Sequence, residues 1–202
     1  MFKVAGTCCL LLWCVNGFCQ DRRAPDDLGQ RAVREFQNDD RPAAEHDFRE
    51  VVKRDPSNIV AHIYLGQCLF RQEHYAEAVV FFQKARDLQK GGKELSTVQD
   101  RILTDQLVMS YGITGEMKKV HALLDEAIRK DPDYPLNYYN LACAYAEEGE
   151  KAKALANLQL AFDRKANILK GEQMPDPRAD SSFQKYARDP EFVTLIKKLG
   201  YK

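Results

Sequence analysis

From Leu28 onward, apolar positions recur at spacings of three and four, as in Ile63, Leu65, Gly66, Leu69 and Phe70, with polar residues between them. That period puts the apolar side chains on one stripe of an α-helix. Strict apolar–polar alternation, the mark of a half-buried strand, is missing from the sequence. Turn signals punctuate the pattern at Asp55-Pro56, Gly91-Gly92, Gly115, Asp131-Pro132, Gly149 and Gly171. They cut the chain into helices of about a dozen residues. The pattern predicts an all-α protein.

A set of four positions repeats within the chain. Gly66 is followed by Ala78, Phe82 and Ala85, at offsets of 12, 16 and 19. The same offsets connect Ala32 to Ala44, Phe48 and Val51, Val108 to Val120, Leu124 and Ala127, and Ala142 to Ala154, Leu158 and Ala161. The residue types have a physical reason. Gly66 and Ala78 let two helices of a pair approach closely, and Ala85 and Ala161 let the next pair settle on the second helix. Pro56 and Pro132 stop second helices, since proline lacks the N–H and clashes with the preceding turn. Pro42 is tolerated at a helix start, where first-turn N–H groups have no partner inside the helix. One helix pair cannot bury its apolar face alone, and stacked pairs can.

On these residues the chain resembles the tetratricopeptide-repeat family, whose unit is a helix–turn–helix of about 34 residues. The resemblance implies a right-handed α-α superhelix of about four units, at 25–58, 59–92, 101–134 and 135–168. Leu65, Gly66, Leu69, Ala78, Phe82 and Ala85 fit the family pattern, as do Tyr138, Leu141, Ala142, Tyr145, Ala154, Leu158 and Ala161. Unit one departs from it with Arg31 and Glu35, and unit three with Thr104, Val108 and Val120. Residues 93–100 are an insert, expected to lengthen the first helix of unit three with Ser96 or Thr97 as its cap. Residues 169–202 break the register. They predict a loop, a short helix after Asp180, and a final helix started by Asp189-Pro190-Glu191 with Phe192, Leu195, Ile196 and Leu199 as its stripe. This tail looks like the capping segment of exported bacterial members of the family and would cover the apolar face of unit four.

The N-terminus changes the domain picture. Lys3, an uncharged apolar run around Leu10-Leu11-Leu12-Trp13, and Gly17 before Cys19 describe a signal peptide, residues 1–19, followed by a polar leader, 20–27. The run is shorter than a typical membrane span. Lipidation at a cysteine is disfavoured because Cys19 follows Phe18 and Cys14 follows Trp13. The expected location is periplasmic or secreted, with retention as a membrane anchor as the alternative. Cleavage would remove four of the six cysteines and leave Cys68 and Cys143, which is no disulfide framework. Thirty basic residues balance thirty acidic ones. Long-range attraction to nucleic acid is therefore not favoured.

Candidate chemistry is sparse. His46, His62, His74 and His121 give no zinc-ligand pair at helical spacing. His62 stands at a helix contact and reads as structural. Asp133 and the acidic turn Glu147, Glu148 and Glu150 have no evident partner base. No nucleophile motif or phosphate-cradling glycine loop occurs. The expectation is a non-enzyme with no catalytic residue, no metal and no cofactor.

The resemblance implies that first helices line a concave groove. Its positions carry over to Val33, Phe36 and Gln37 in unit one and to Val60, Ile63, Gln67, Phe70 and Arg71 in unit two. Unit three supplies Ile102, Asp105, Met109 and Ile113, and unit four Leu136, Tyr139, Cys143 and Glu147. Phe36, Ile63, Phe70, Met109 and Tyr139 are the expected anchors. The basic clamp that one subfamily uses for a terminal carboxylate is not matched, Asn140 alone agreeing. The implied partner is another polypeptide, helical or extended, with no nucleic acid and no small-molecule substrate. Chain termini folding into the groove is the competing expectation, and so is a membrane-anchored structural subunit working through its outer face.

Overall fold

Side-chain caps set where the helices begin. In the computed structural model, which describes residues 27–169 and 171–201, Asp27, Asp40 and Asn58 accept first-turn N–H groups. They start α1 (Leu28–Gln37), α2 (Arg41–Arg54) and α3 (Ile59–Arg71). The signal segment and the leader before Asp27 lie outside the described residues. After α4 (Tyr75–Lys90) comes α5 (Thr97–Ile113), capped by Ser96 rather than Thr97. Ser96 Oγ accepts the Gln99 N–H at 3.3 Å while the Gln99 side chain accepts the Ser96 N–H at 2.8 Å. Two otherwise orphaned donors are satisfied reciprocally. Then follow α6 (Met117–Lys130), α7 (Pro135–Glu147) and α8 (Lys151–Asp163). Short 3-10 turns at Lys165–Asn167 and Ser181–Tyr186 lead to α9 (Pro190–Lys198). The helix expected after Asp180 is thus a 3-10 turn. No strand occurs among the described residues.

The described residues form two compact units, 27–114 and 115–201. In the first, α1–α2 and α3–α4 are helix hairpins, α2 packs on α3, α4 on α5, and the first helices α1, α3 and α5 touch in sequence. The repeated positions make its core. Ala32, Ala44, Phe48, Gly66, Ala78, Phe82 and Ala85 are all buried, and only Val51 of that set is half-buried. Gly66 is required by its neighbour: a Cβ there would lie 2.6 Å from the Phe82 ring. The hairpin turns share one backbone feature. The second residue past α1, α3, α5 and α7 (Asp39, Glu73, Gly115 and Gly149) has φ of 60°, 64°, 79° and 82°. Glycine suits that left-handed position, and Glu73 occupies it at a cost.

Of the three polar departures from the family pattern, Arg31 and Thr104 have hydrogen-bond partners. Arg31 forks onto the buried Asp47, with one of its bonds at 2.8 Å. The Arg31 fork holds the Asp47 carboxyl below the usual range. Burial, then the Asp47 charge, pushes the neighbouring Glu35 carboxyl up. Thr104 accepts from Nη2 of the buried Arg86 at 2.7 Å and donates to the Asp100 carbonyl at 2.7 Å. Arg86 also pairs with Asp100. This network ties the extra first turn of α5 to α4.

In the second unit α7–α8 is a hairpin, α6 packs on α7, and the C-terminal segment closes the core. Phe183, Phe192 and Ile196 are buried against Tyr139, Ala142, Leu158 and Phe162. Asp189 caps α9 through the Glu191 and Phe192 N–H groups, and Lys151 pairs with Asp189 at 2.9 Å and Glu191 at 3.0 Å.

Candidate interaction groove

The first helices of the N-terminal unit present a shared face because their groove residues stand three and four apart. Val33 and Phe36 on α1, Val60, Gln67, Phe70 and Arg71 on α3, and Ile102, Asp105, Met109 and Ile113 on α5 are half-buried. Gln37 is exposed. Ile63 is the exception: at 7 % exposure it belongs to the core and is not an open anchor, which corrects the sequence expectation.

The end of this face where α1 and α3 finish is aromatic and cationic. The Phe36 ring meets Tyr64 edge-on at 5.1 Å, and the Arg71 guanidinium lies 4.4 Å over the Phe36 centroid. Phe70 meets Tyr75 edge-on at 5.0 Å. Arg41 donates to the Arg71 carbonyl at 3.1 Å and to Asp39 at 2.9 Å, and Arg71 reaches the same Asp39 oxygen at 3.4 Å. Two guanidinium groups thus share one carboxylate. Arg41, Tyr64 and Tyr75 were not legible as groove neighbours. Arg41 and Tyr75 begin the second helices α2 and α4, Tyr64 lies on α3 beside the groove positions, and nothing in the spacing singles them out.

The fourth-repeat positions meet a different fate. Tyr139 is 2 % exposed and Leu136 and Cys143 are half-buried, while Glu147 is exposed. The 3-10 turn Ser181–Tyr186 packs on this side of α7. Tyr139 Oη donates to Asp180 Oδ2 at 3.0 Å, and the Tyr139 ring meets Phe183 edge-on at 6.0 Å. Cys143 Sγ lies 3.7 Å from the same Asp180 oxygen, and Lys185 donates to the Glu147 carbonyl at 3.3 Å. Burial raises both the Tyr139 phenol and the Cys143 thiol above their ordinary values. Tyr139 and Cys143 are therefore taken by the chain's own tail, and Tyr139 is not an open anchor. The Asp180 cap signal was legible, but its reach to α7 was not.

Other candidate groups fall into place locally. His62 is buried; its Nε2 donates to the Pro56 carbonyl at 3.0 Å, and burial lowers its basicity. His46 and His74 are exposed. Cys68 is buried, and burial pushes its thiol up to about 12. His121 corrects the reading of the acidic turn. Its Nε2 lies 2.7 Å from Glu148, in an open cleft of about 470 Å³ lined also by Asp125, Tyr145, Glu150 and Lys153. Among the described residues no group of three His, Cys, Asp or Glu is arranged to hold a metal.

Tetratricopeptide-repeat family models match residues 30–92 and 123–156. The first span holds the quartets that begin at Ala32 and Gly66 with the hairpins α1–α2 and α3–α4, and the second holds α7 and the start of α8. The chain is a tetratricopeptide-repeat protein. The repeats are 31% identical over 134 residues to cellulose synthase 1 operon protein C of Komagataeibacter xylinus, covering 63% of this chain and 10% of that protein. They are 34% identical over 100 residues to the probable UDP-N-acetylglucosamine–peptide N-acetylglucosaminyltransferase SPINDLY of Hordeum vulgare, covering 50% of this chain and 10% of that one. The chain thus spans about a tenth of these relatives. Among solved structures the repeats resemble YrrB, a tetratricopeptide-repeat protein with an unusual peptide-binding site (TM-score 0.61, 16% identity, 86% and 84% of the two chains). They also resemble MamA from Desulfovibrio magneticus RS-1 (TM-score 0.65, 15% identity, 87% and 95%). At these identities the likeness is one of fold. A tetratricopeptide fold is a scaffold for protein–protein interaction.

Proposed function

We propose that this chain is a non-enzymatic scaffold that acts outside the cytoplasm and binds a polypeptide segment along the first-helix face of residues 27–114. The observation that carries this reading is the half-buried apolar run Val33, Phe36, Val60, Phe70, Ile102, Met109 and Ile113 on consecutive first helices. A contiguous apolar face of this kind gains stability when a partner covers it. Large anchors within such a face dominate the binding energy, and of the expected anchors Phe36, Phe70 and Met109 are the half-buried ones. The signal-like segment 1–19 supports action outside the cytoplasm. The peptide-binding site of YrrB supports a peptide ligand.

The test is affinity capture from the native compartment with wild-type, Phe70→Glu and Met109→Glu baits. Both variants are expected to keep their circular-dichroism spectra and to lose the co-eluting polypeptide. Capture that survives both substitutions overturns the groove assignment. A membrane-anchored subunit working through second helices is favoured by one feature, the 61 % exposure of Val80 on α4. N-terminal sequencing separates the two: an intact Met1 supports the anchor, and a start after Gly17 or Cys19 supports the exported scaffold.

A further inference from the structure

The edge of the open face where α1 and α3 finish holds two guanidinium groups that are used unequally. Arg41 spends its donors inside the fold. Its Nε and Nη2 fork onto the two oxygens of Asp39 at 2.9 and 3.1 Å, and its Nη1 donates to the Arg71 carbonyl at 3.1 Å. The Arg71 side chain, by contrast, makes one long bond among the described residues. It runs 3.4 Å from Nη1 to an Asp39 oxygen that Arg41 already holds. A guanidinium carries five N–H donors in a planar fork, so most of this one is unspent.

The setting of that fork suits an anion. The Arg71 side chain is 27 % exposed, partly shielded from water yet reachable from the groove. The Phe36 ring, 4.4 Å from the guanidinium carbon, packs against it, so little freedom is lost when the fork takes a ligand. The nearby acids are engaged elsewhere or stand in solvent. Asp40 caps α2, Glu45 is held by Arg49 at 2.8 Å and Gln72 at 2.6 Å, and Glu73 is exposed at the turn. Asp39 alone faces both guanidinium groups, which leaves a positive charge unmatched.

We infer that Arg71 takes an acidic side chain, Asp or Glu, of the polypeptide that lies in the groove. This deepens the proposed function and rests on the groove reading. Paired N–H groups on a carboxylate form the charge-assisted, bidentate kind of hydrogen bond, which is the stronger kind. A side chain fits better than a chain terminus. Helices α1, α3 and α5 succeed one another, so a segment touching the whole apolar run crosses all three and passes this edge sideways. Neither Arg41 nor Arg71 stands at a position of the terminal-carboxylate clamp. Phe36 and Phe70, both half-buried at this edge, supply apolar contacts for the residues beside the acid.

The experiment is a titration of the full-length chain with an acetylated and amidated Ala-Leu-Glu-Leu-Ala peptide, followed by the Arg71 side-chain Nε–H and the backbone amide resonances. Saturable shifts centred on Phe70 and Arg71 are expected. Replacing the peptide's Glu by Gln should weaken binding about tenfold. Arg71→Gln should erase that preference and leave binding of the Gln peptide as it was. Asp39→Asn removes the competing carboxylate without touching the Arg71–Phe36 packing, at a φ of 60° that asparagine accepts. It should tighten the Glu peptide about threefold, and no gain there counts against the inference. Equal binding of the Glu and Gln peptides, with shifts at Phe36, Phe70 and Met109, overturns the acidic inference while leaving the groove reading standing. Tighter binding of a Gln peptide with a free terminal carboxylate assigns Arg71 to a chain end and overturns it too. No saturable shift with any of these peptides overturns both readings.

Discussion

Gly66 and Phe82 give the sharpest test of how the repeats close. Replacing Gly66 by alanine puts a carbon 2.6, 2.7 and 2.9 Å from three atoms of a ring that is fully buried. Comfortable carbon contacts lie at about 3.5–4.0 Å, so the ring must retreat by roughly 1 Å. Overpacking of this kind costs about 1–3 kcal/mol. The helix gains about 1 kcal/mol from losing its interior glycine. The net expectation for Gly66→Ala is a loss of about 1 kcal/mol. Phe82→Leu alone removes ring volume beside a glycine and should cost about 1–2 kcal/mol. Together the two substitutions recreate the Ala142–Leu158 pair of the fourth repeat, whose members are both fully buried. The double variant should therefore be close to Phe82→Leu alone or better, a favourable coupling of about 1–2 kcal/mol. Urea unfolding of the four proteins, compared at equal slope, measures it. Additivity within about 0.5 kcal/mol would refute the claim that these residues fill one shared space.

Further outcomes follow from other sites. Arg86→Ala should cost about 2–3 kcal/mol and speed amide exchange at residues 97–100, because it strips Asp100 and Thr104 of their cation. Glu73→Gly should raise stability by about 0.5–1 kcal/mol in thermal unfolding, since it relieves a left-handed backbone without touching the core. The Glu35 carboxyl is raised in the fold, so its contribution is favourable in acid and is lost as pH rises through its folded value. Glu35→Gln should therefore exceed the wild type in unfolding midpoint at neutral pH, and the advantage should vanish below about pH 4. The His62 imidazole is lowered by burial, so the neutral ring is the folded form. Stability should fall as pH drops below about 6.5, and His62→Gln should flatten that slope.

Much of the architecture was legible because repetition exposes it. Four quartets with identical offsets mark where small and large residues alternate across helix contacts, and their positions are buried with the exceptions of Val51 and Ala127. The turn register was half-legible. Gly115 and Gly149 announce a left-handed residue, whereas Asp39 and Glu73 hold the same conformation with side chains that give no warning. Ile63 and Tyr139 were misjudged for different reasons. Helical register places both on the groove side, but register does not say how far a neighbour overlaps that side. For Tyr139 the neighbour is a turn from the tail, fixed by contacts between residues about forty apart. The link between His121 and Glu148 was hidden in the same way, because it joins α6 to the end of α7.

In the proposed function first helices, and not second helices, hold the partner. Photo-crosslinking from a reactive side chain at Met109, compared with one at Val80, tests it in the native compartment. A discrete covalent adduct with a second polypeptide is expected from Met109 and none from Val80. An adduct from Val80 with Met109 silent would contradict it.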